Sequence, residues 1–201
     1  MKKQKTAWIW LAAFVLWTAL VRMIDVRPIG PEGSTVGFAT VNGWFHEFTG
    51  VHMTLYTLTD WLSMIPLAIA AGFGLLGLIQ WIKRKRICKV DRNLLILGCL
   101  YGAVLATYAL FEVVVINYRP VLIEGVLEPS YPSSTTMLCM CILPMAAMGC
   151  KRKWLAILLM AFTVFMVASR AFSGVHWITD IIGGALLSAG FVSLYGAVTK
   201  E

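Results

Sequence analysis

Apolar residues in this chain are grouped into long runs that short polar segments separate. Most runs approach the roughly 20 residues that a helix needs to cross a lipid bilayer. A helix also satisfies its own backbone hydrogen bonds, for which hydrocarbon offers no partners. The pattern therefore predicts an all-α integral membrane protein with six transmembrane helices. The predicted spans are residues 6–24, 58–81, 94–117, 134–149, 154–171 and 178–198.

The composition supports a single membrane-embedded domain over residues 1–201. Hydrophobic residues make up 59% of the 201 positions and charged residues only 13%. A soluble domain of this size has too little interior to bury so much apolar surface. Charged residues rather than a small-residue cleavage site follow the first span, so it is interpreted as an uncleaved helix and not as a signal peptide.

Basic residues are concentrated at the ends of alternate spans. With six spans, every basic cluster falls on the same side, which the positive-inside rule makes cytoplasmic. Both termini are then cytoplasmic, and the net charge of +7 needs no nucleic-acid partner to explain it. The clusters are Lys2, Lys3 and Lys5; residues 83–92; residues 151–153; and Lys200.

The longest extracytoplasmic segment covers residues 25–57. Its first part contains several prolines and glycines and is expected to be irregular. Residues 38–56 are aromatic and amphipathic, which predicts a short helix in the membrane interface. Asp60 is expected to cap the second span.

The five cysteines lie within the spans or near the cytoplasmic side. These positions favour small apolar fillers over disulfides. Cys139 and Cys141 also have the wrong spacing for a metal site. The sequence therefore predicts no structural disulfide and no cysteine metal site.

A polar motif stands at the junction of the last two spans, where Ser169-Arg170 is followed by His176 and Asp180. Ionisable residues at the rim of an apolar span are expensive and usually functional. His176 and Asp180 are four residues apart, so on a helix they share a face, and the carboxylate can orient the imidazole. Arg170 has the forked donors that suit a phosphate. The motif predicts a phosphoryl-transfer site with a histidine nucleophile.

Two further segments belong to the same side of the predicted bundle. Tyr118-Arg119-Pro120 follows the third span, and Pro132-Ser133-Ser134-Thr135 precedes the fourth. The topology therefore brings Arg119, Arg170 and His176 to one extracytoplasmic face. The motif alone does not require these residues to lie on one face, so the predicted topology supports the site independently.

Taken in order, the three segments resemble the type 2 phosphatidic acid phosphatase superfamily. That family has the motifs K-x6-R-P, P-S-G-H and S-R-x5-H-x3-D, and the third is matched in full. The resemblance covers residues 112–184, and the six predicted spans extend it to the whole chain.

The resemblance implies a mechanism. His176 would attack phosphorus and form a phosphohistidine, while Asp180 would orient the imidazole and stabilise its charge. Phosphoryl oxygens would be held by two arginines and by the start of the fourth span, where a helix N-terminus attracts anions. The implied phosphate-binding residues are Arg119, Arg170, Ser133, Ser134 and Thr135. The resemblance implies no metal and no cofactor, because arginines and backbone amides supply the positive charge.

Two positions depart from the family motifs. Glu112 stands where the first motif has lysine, and Thr135 stands where the second has the histidine that protonates the leaving oxygen. Threonine has no pKa suited to that task. If the third span continues to residue 117, Glu112 lies roughly 10 Å from Arg119 along one helix face.

Three explanations of these departures remain open. Glu112 can pair with an arginine or act as an acid at a dry site. Glu124 or Glu128 in the next segment can replace the lost acid. Alternatively, a lipid diphosphate loses an acidic phosphate monoester, which needs little protonation, and this favours a diphosphate substrate.

The leading functional prediction is an integral membrane lipid phosphatase acting at the outer leaflet of a bacterial plasma membrane. Its substrate would be a membrane lipid such as an isoprenoid diphosphate, phosphatidate or phosphatidylglycerophosphate. The alternatives are a phosphotransferase to another acceptor and a non-catalytic relative that binds phospholipids. A channel or transporter is disfavoured, because the sequence has no inverted repeat and few mid-span charges.

Overall fold

A computed structural model describes residues 2–199, and within this range the chain forms eight α-helices, two short 3-10 turns and no β-strand. The predicted all-α fold is thus confirmed. The helices are α1 (Lys2–Met23), α2 (Ala39–Thr49), α3 (Met53–Leu62), α4 (Met64–Arg84), α5 (Arg92–Val113), α6 (Ser134–Gly149), α7 (Lys153–Phe172) and α8 (Ile178–Thr199).

Six helical units cross the bundle. Five are long and apolar enough to span a membrane, because α3 and α4 form one continuous unit over Met53–Arg84. The sixth is α6, a shorter apolar helix of 16 residues in which most side chains are buried. It packs against both α7 and α8, and α8 packs in turn against α1.

Helix α5 ends earlier than the hydrophobic pattern predicts. The predicted span reaches residue 117, but the helix ends at Val113. The next residues continue the apolar run, yet Val114, Val115 and Ile116 are β-branched and therefore poor helix formers. The prediction that Glu112 and Arg119 share a helix face is wrong for this reason, because Arg119 lies beyond the helix.

The segment after α1 contains the expected short helix. It is α2, and the chain turns at Gly50 before α3 begins at Met53. The proposed capping role of Asp60 is wrong: this residue lies inside α3, two residues before the helix ends.

The basic residues and the candidate site residues lie at opposite ends of the bundle. The described basic clusters lie at the ends of α4 and α7 that are connected to α5 and α6, respectively. Arg119, the start of α6, the end of α7 and the start of α8 lie at the opposite end of the bundle. Lys200 is outside the described residues.

Candidate active site

The loop between α7 and α8 holds His176 in a buried position. Gly174 in this loop has φ +70°, a conformation that glycine adopts without strain. A Cβ atom at Gly174 would lie 2.0 Å from the carbonyl oxygen of Gly50, so the loop packs directly on the α2–α3 connection. The backbone N–H of His52 donates to the carbonyl of Ser173 across the same contact, at 2.9 Å. The histidine loop is therefore fixed.

Asp180 lies beneath the imidazole in the first turn of α8. Its Oδ2 atom is 3.7 Å from His176 Nδ1 and accepts a hydrogen bond from the backbone N–H of Trp177 at 3.1 Å. Its Oδ1 atom accepts a hydrogen bond from Asn117 Nδ2 at 3.0 Å. The carboxylate is fully buried and held from two sides.

The other imidazole nitrogen faces Arg119. Arg119 Nη1 lies 3.2 Å from His176 Nε2. A guanidinium group only donates hydrogen bonds, so Nε2 must be the unprotonated acceptor. In the neutral ring the proton is then on Nδ1, which faces Asp180. This tautomer leaves the Nε2 lone pair on the side of the arginine.

Arg119 is held by a hairpin-like loop between α5 and α6. Its backbone N–H donates to the carbonyl of Glu128 at 3.0 Å, and its Nε donates to Glu128 Oε2 at 2.9 Å. Glu124 lies at the tip of this loop, where Glu124 and Gly125 both have positive φ. The partner of Arg119 is therefore Glu128 and not Glu112.

Arg170 is the most buried of the site's cations, with a side chain only 2% exposed. Its Nη2 atom donates to Asp60 Oδ1 at 3.2 Å and to the hydroxyl of Thr135. Its Nε and Nη1 atoms have no hydrogen-bond partner among residues 2–199. Unpaired buried donors are costly, so this guanidinium is suited to binding an anion.

The ring of Tyr56 in α3 lies within 6 Å of both arginines. The guanidinium carbon of Arg170 is 4.8 Å from the ring centroid, and that of Arg119 is 5.9 Å away. Both distances fit cation–π contacts. The ring thus helps to hold two like charges near each other.

The start of α6 is anchored from below by Tyr131. The Tyr131 hydroxyl bonds to Thr18 Oγ1 at 2.7 Å, and its ring lies where a Cβ atom on Gly183 would approach within 2.6 Å. The Ser133 hydroxyl caps α6 by accepting from the N–H and the hydroxyl of Thr136.

The three polar residues at the start of α6 therefore differ in their positions. Ser134 lines a small cavity next to His176. The fully buried Ser133 hydroxyl is used by the cap, and the Thr135 hydroxyl by Arg170.

A cavity of about 200 Å³ lies beside the imidazole. Arg119 and Ser134 line it, and so do two of the three acidic residues that the sequence suggested, Glu112 and Glu128. The third, Glu124, is exposed at the loop tip and does not line it. We call this space the reaction cavity.

The surroundings of His176 favour its neutral form. Burial lowers the pKa of the imidazole well below its usual value of 6.5, and the positive charges of Arg119 and Arg170 lower it further. A hydrogen bond involving the backbone of Ser130 opposes this shift. At neutral pH the ring is therefore an uncharged base, and its Nε2 lone pair accepts the hydrogen bond from Arg119 that a phosphoryl group would have to displace.

The structure is therefore a membrane bundle of six helical units in which a buried imidazole lies next to Arg119 and within the electrostatic influence of Arg170. The model of the PAP2 superfamily matches residues 67–200, and the chain belongs to that superfamily. The predicted resemblance is thus confirmed. A search of curated proteins found no significant match.

A solved structure has the same fold over nearly the whole chain. It is the crystal structure of the first transmembrane PAP2 type phosphatidylglycerolphosphate phosphatase from Bacillus subtilis. The TM-score is 0.62 at 16% sequence identity, and the match covers 97% of this chain and 96% of that one. At this identity the similarity establishes the fold alone.

Sequence reasoning did not identify three residues of the site. Asn117 is the last residue of the third predicted span, Tyr56 ends the predicted interfacial segment, and Asp60 is the predicted helix cap. Asn117 could have been identified, because a polar side chain at the end of an apolar run needs a hydrogen-bond partner. The positions of Tyr56 and Asp60 depend on how α3 folds over the site, for which the sequence contains no local signal.

Proposed function

We propose that this protein is an integral membrane lipid phosphatase that cleaves a phosphate or diphosphate headgroup through a phosphohistidine. One observation carries the proposal: the unprotonated Nε2 of buried His176 lies beside Arg119 at the reaction cavity, 3.2 Å from its Nη1. Arg119 lines the reaction cavity and supplies positive charge for the phosphoryl oxygens. Arg170 does not line the cavity, and its unpaired donors supply further positive charge from behind the lining.

The reaction has two displacements. In the first, the Nε2 lone pair forms a bond to phosphorus while the bond from phosphorus to the leaving oxygen breaks. The imidazole becomes cationic, and Asp180 stabilises the proton on Nδ1. In the second, water attacks phosphorus, the P–N bond breaks, and the imidazole regains its lone pair as inorganic phosphate leaves.

The leaving oxygen is a problem because Thr135 cannot protonate it. A diphosphate avoids this problem, since it leaves as a phosphate monoester that is already stable as an anion. For a monophosphate the leaving alkoxide needs a proton, and we assign that role to Glu112, which lines the reaction cavity. Glu128 is instead paired with Arg119, whose Nε lies 2.9 Å from its Oε2.

Glu112→Gln should lower cleavage of a prenyl monophosphate about 100-fold while leaving the diphosphate within about threefold, because general acid catalysis is worth roughly 10²–10⁴. The measurement is kcat on the two substrates with the same prenyl chain. Glu124→Gln is the matched control and should change neither rate. Equal losses on both substrates would show that Glu112 has no acid role.

Thr135→His provides the reciprocal test. A histidine at this position places an acid where the family motif has one, so monophosphate cleavage should rise about tenfold or more and should also recover in the Glu112→Gln background. The new imidazole replaces a hydroxyl that binds Arg170, so KM is measured separately. A double variant that is no faster than Glu112→Gln alone would contradict the acid assignment.

The pH dependence follows from the lowered pKa of His176. Because its pKa is lowered, the His176 imidazole remains neutral as the pH falls through 6.5. The enzyme should therefore lose activity only below that value. We expect log kcat/KM for a prenyl diphosphate, which reports the free enzyme, to be level between about pH 6.5 and 8 and to fall at lower pH. A midpoint at or above 6.5 would contradict the assignment of His176 as the neutral nucleophile.

We also propose that the site faces outward from a bacterial plasma membrane, with both termini in the cytoplasm. The support is the distribution of charge, because the described basic clusters lie at the end of the bundle away from the site. A reporter fused to the C-terminus that is active only in the cytoplasm tests this orientation.

The decisive experiment measures phosphate release from a panel of lipid monophosphates and diphosphates by the purified protein. Rapid quenching with labelled substrate should trap a phosphoenzyme that is stable to alkali and lost in acid. Products are also analysed with a candidate acceptor lipid present, because transfer of the label to that lipid would identify a phosphotransferase instead. Binding of lipid phosphates without turnover would identify a non-catalytic relative.

A further inference from the structure

Asn117 is a buried polar residue to which the proposed reaction gives no role. It lies beyond the end of α5, in the loop that leads to α6, and it is only 1% exposed. Burying an amide costs free energy unless its donors and its acceptor are hydrogen-bonded. The partners of Asn117 therefore indicate what the fold uses this side chain for.

The orientation of the Asn117 amide follows from the groups on either side of it. The backbone N–H of Gly37 lies 3.4 Å from Asn117 Oδ1, and an N–H group can only donate. The amide oxygen must therefore face Gly37, which directs Nδ2 toward Asp180 Oδ1 at 3.0 Å. The amide thus donates to the carboxylate that lies next to the proposed nucleophile.

The backbone holds Asn117 in this position from both sides. A Cβ atom at Gly37 would lie 1.6 Å from the carbonyl oxygen of Val21, so only glycine allows the loop before α2 to pack directly on the end of α1. On the other side, the carbonyl of Asn117 accepts hydrogen bonds from the N–H and the hydroxyl of Ser130, at 2.9 and 3.1 Å. The amide is therefore in place before a substrate binds.

The direction of the Asp180 carboxylate depends on this donor. Asp180 Oδ2 lies 3.7 Å from His176 Nδ1, and the distance changes if the carboxylate rotates. The backbone N–H of Trp177 holds Oδ2 from one side, and Asn117 holds Oδ1 from the other. Loss of the Asn117 donor would leave the carboxylate freer to rotate away from the imidazole.

A second asparagine, Asn42 in α2, lies beside the same segments but does not bond to the carboxylate. Asn42 is fully buried, and its Nδ2 donates to the carbonyl of Gly37 at 2.7 Å and to Thr179 Oγ1 at 3.0 Å. Asn117 Nδ2 lies 3.5 Å from the same Thr179 hydroxyl. The two amides therefore share Gly37 and Thr179 as neighbours and differ in the hydrogen bond to Asp180.

From this difference we infer that Asn117 is a positioning residue for the reaction, because it holds the Asp180 carboxylate against His176 Nδ1 and so directs Nε2 to the reaction cavity. Asn117 does not line that cavity, so it acts through Asp180 and not on the substrate. The inference rests on the proposed function, since it assumes that His176 attacks phosphorus. It adds to the reaction a residue outside the three sequence motifs.

Asn117→Leu tests this role, because leucine has a similar volume and cannot donate. For a prenyl diphosphate, kcat should fall about 30-fold, as orienting partners of metal ligands typically contribute about 10- to 100-fold. KM should stay within about threefold, because an interaction that acts only on the reaction step leaves substrate binding unchanged. Asn42→Leu is the matched control: it should lower the melting temperature similarly but keep kcat within about threefold of wild type.

A double variant separates positioning from a structural role. In the Asp180→Ala background, Asn117→Leu should change kcat by less than about twofold, because residues that act as a unit are not additive. Arg119→Lys should still lower the rate in that background, which shows that the assay can detect a further loss. Serine substitutions at both asparagines provide the same comparison where leucine prevents folding.

Each outcome gives a distinct answer. Equal losses of kcat in Asn117→Leu and Asn42→Leu would overturn the inference, and so would an Asn117→Leu loss that is the same with and without Asp180. Failure of the proposed function gives a different pattern, because His176→Ala would then release phosphate at the wild-type rate and Asn117 would have no nucleophile to position.

Discussion

Replacing His176 with alanine should lower hydrolysis of lipid diphosphates by at least about a thousandfold, since removal of a catalytic nucleophile typically costs 10³–10⁶ in kcat. No other described histidine lines the reaction cavity to take its place. The phosphoenzyme should disappear in the same variant. The measurement is phosphate release together with acid-labile labelling of the purified protein.

Two controls separate the chemical role of His176 from a structural one. His52→Ala removes a ring that contacts the carbonyl of Thr49, outside the reaction cavity, and should retain most activity. Adding imidazole to His176→Gly should restore part of the phosphate release, because the lost ring leaves a space beside Arg119. Phosphate release by His176→Ala at the wild-type rate would end the proposed mechanism.

Replacing Arg170 with methionine should reduce kcat/KM about 100- to 1,000-fold, as for removal of one donor that stabilises a developing oxyanion. It should leave the melting temperature unchanged or raise it by about 2–4 °C for each kcal/mol gained. The reason is that Arg170 is 2% exposed and two of its three nitrogens lack partners in the part of the chain described. Removing one partner of a buried ion pair is destabilising when it leaves the other charge buried, but Asp60, the partner of Arg170, is 61% exposed and stays hydrated.

The critical feature of this prediction is that kcat/KM falls while the melting temperature does not. A residue that only supported the fold would lose stability and activity together. Arg27→Met provides the control, because Arg27 is an exposed arginine paired with Asp25 far from the cavity. A large fall in melting temperature for Arg170→Met would contradict the view that this guanidinium is retained for phosphate binding at the expense of stability.

The general architecture could be predicted because its determinants are local in sequence. Runs of apolar residues predict helices in hydrocarbon wherever they occur. His176 lies in the loop two residues before α8, and the short interval to Asp180 is enough to bring the two side chains together. The charge pattern also separates the two ends of the bundle without knowledge of packing. The family resemblance rested on these same local intervals.

The contacts that complete the site could not be predicted, because they depend on backbone geometry between elements. The early end of α5 at Val113 frees Asn117 to reach Asp180 and allows Arg119 to pair with Glu128. Hydropathy does not detect this end, since the apolar run continues through Ile116. The contact of Tyr56 with both arginines likewise depends on how α3 folds next to the loop that carries His176.

The length of α6 has a consequence for how a lipid reaches the site. Its 16 residues span about 24 Å, less than the roughly 30 Å hydrocarbon thickness of a typical bilayer. Because Ser133 fixes the upper end of α6 beside Asp180, the mismatch places that end below the water boundary or thins the surrounding lipid. The substrate headgroup must then move below the water boundary to reach the site. The cleaved phosphate is strongly hydrated and is more stable in water than in the site, and this difference favours release of the phosphate.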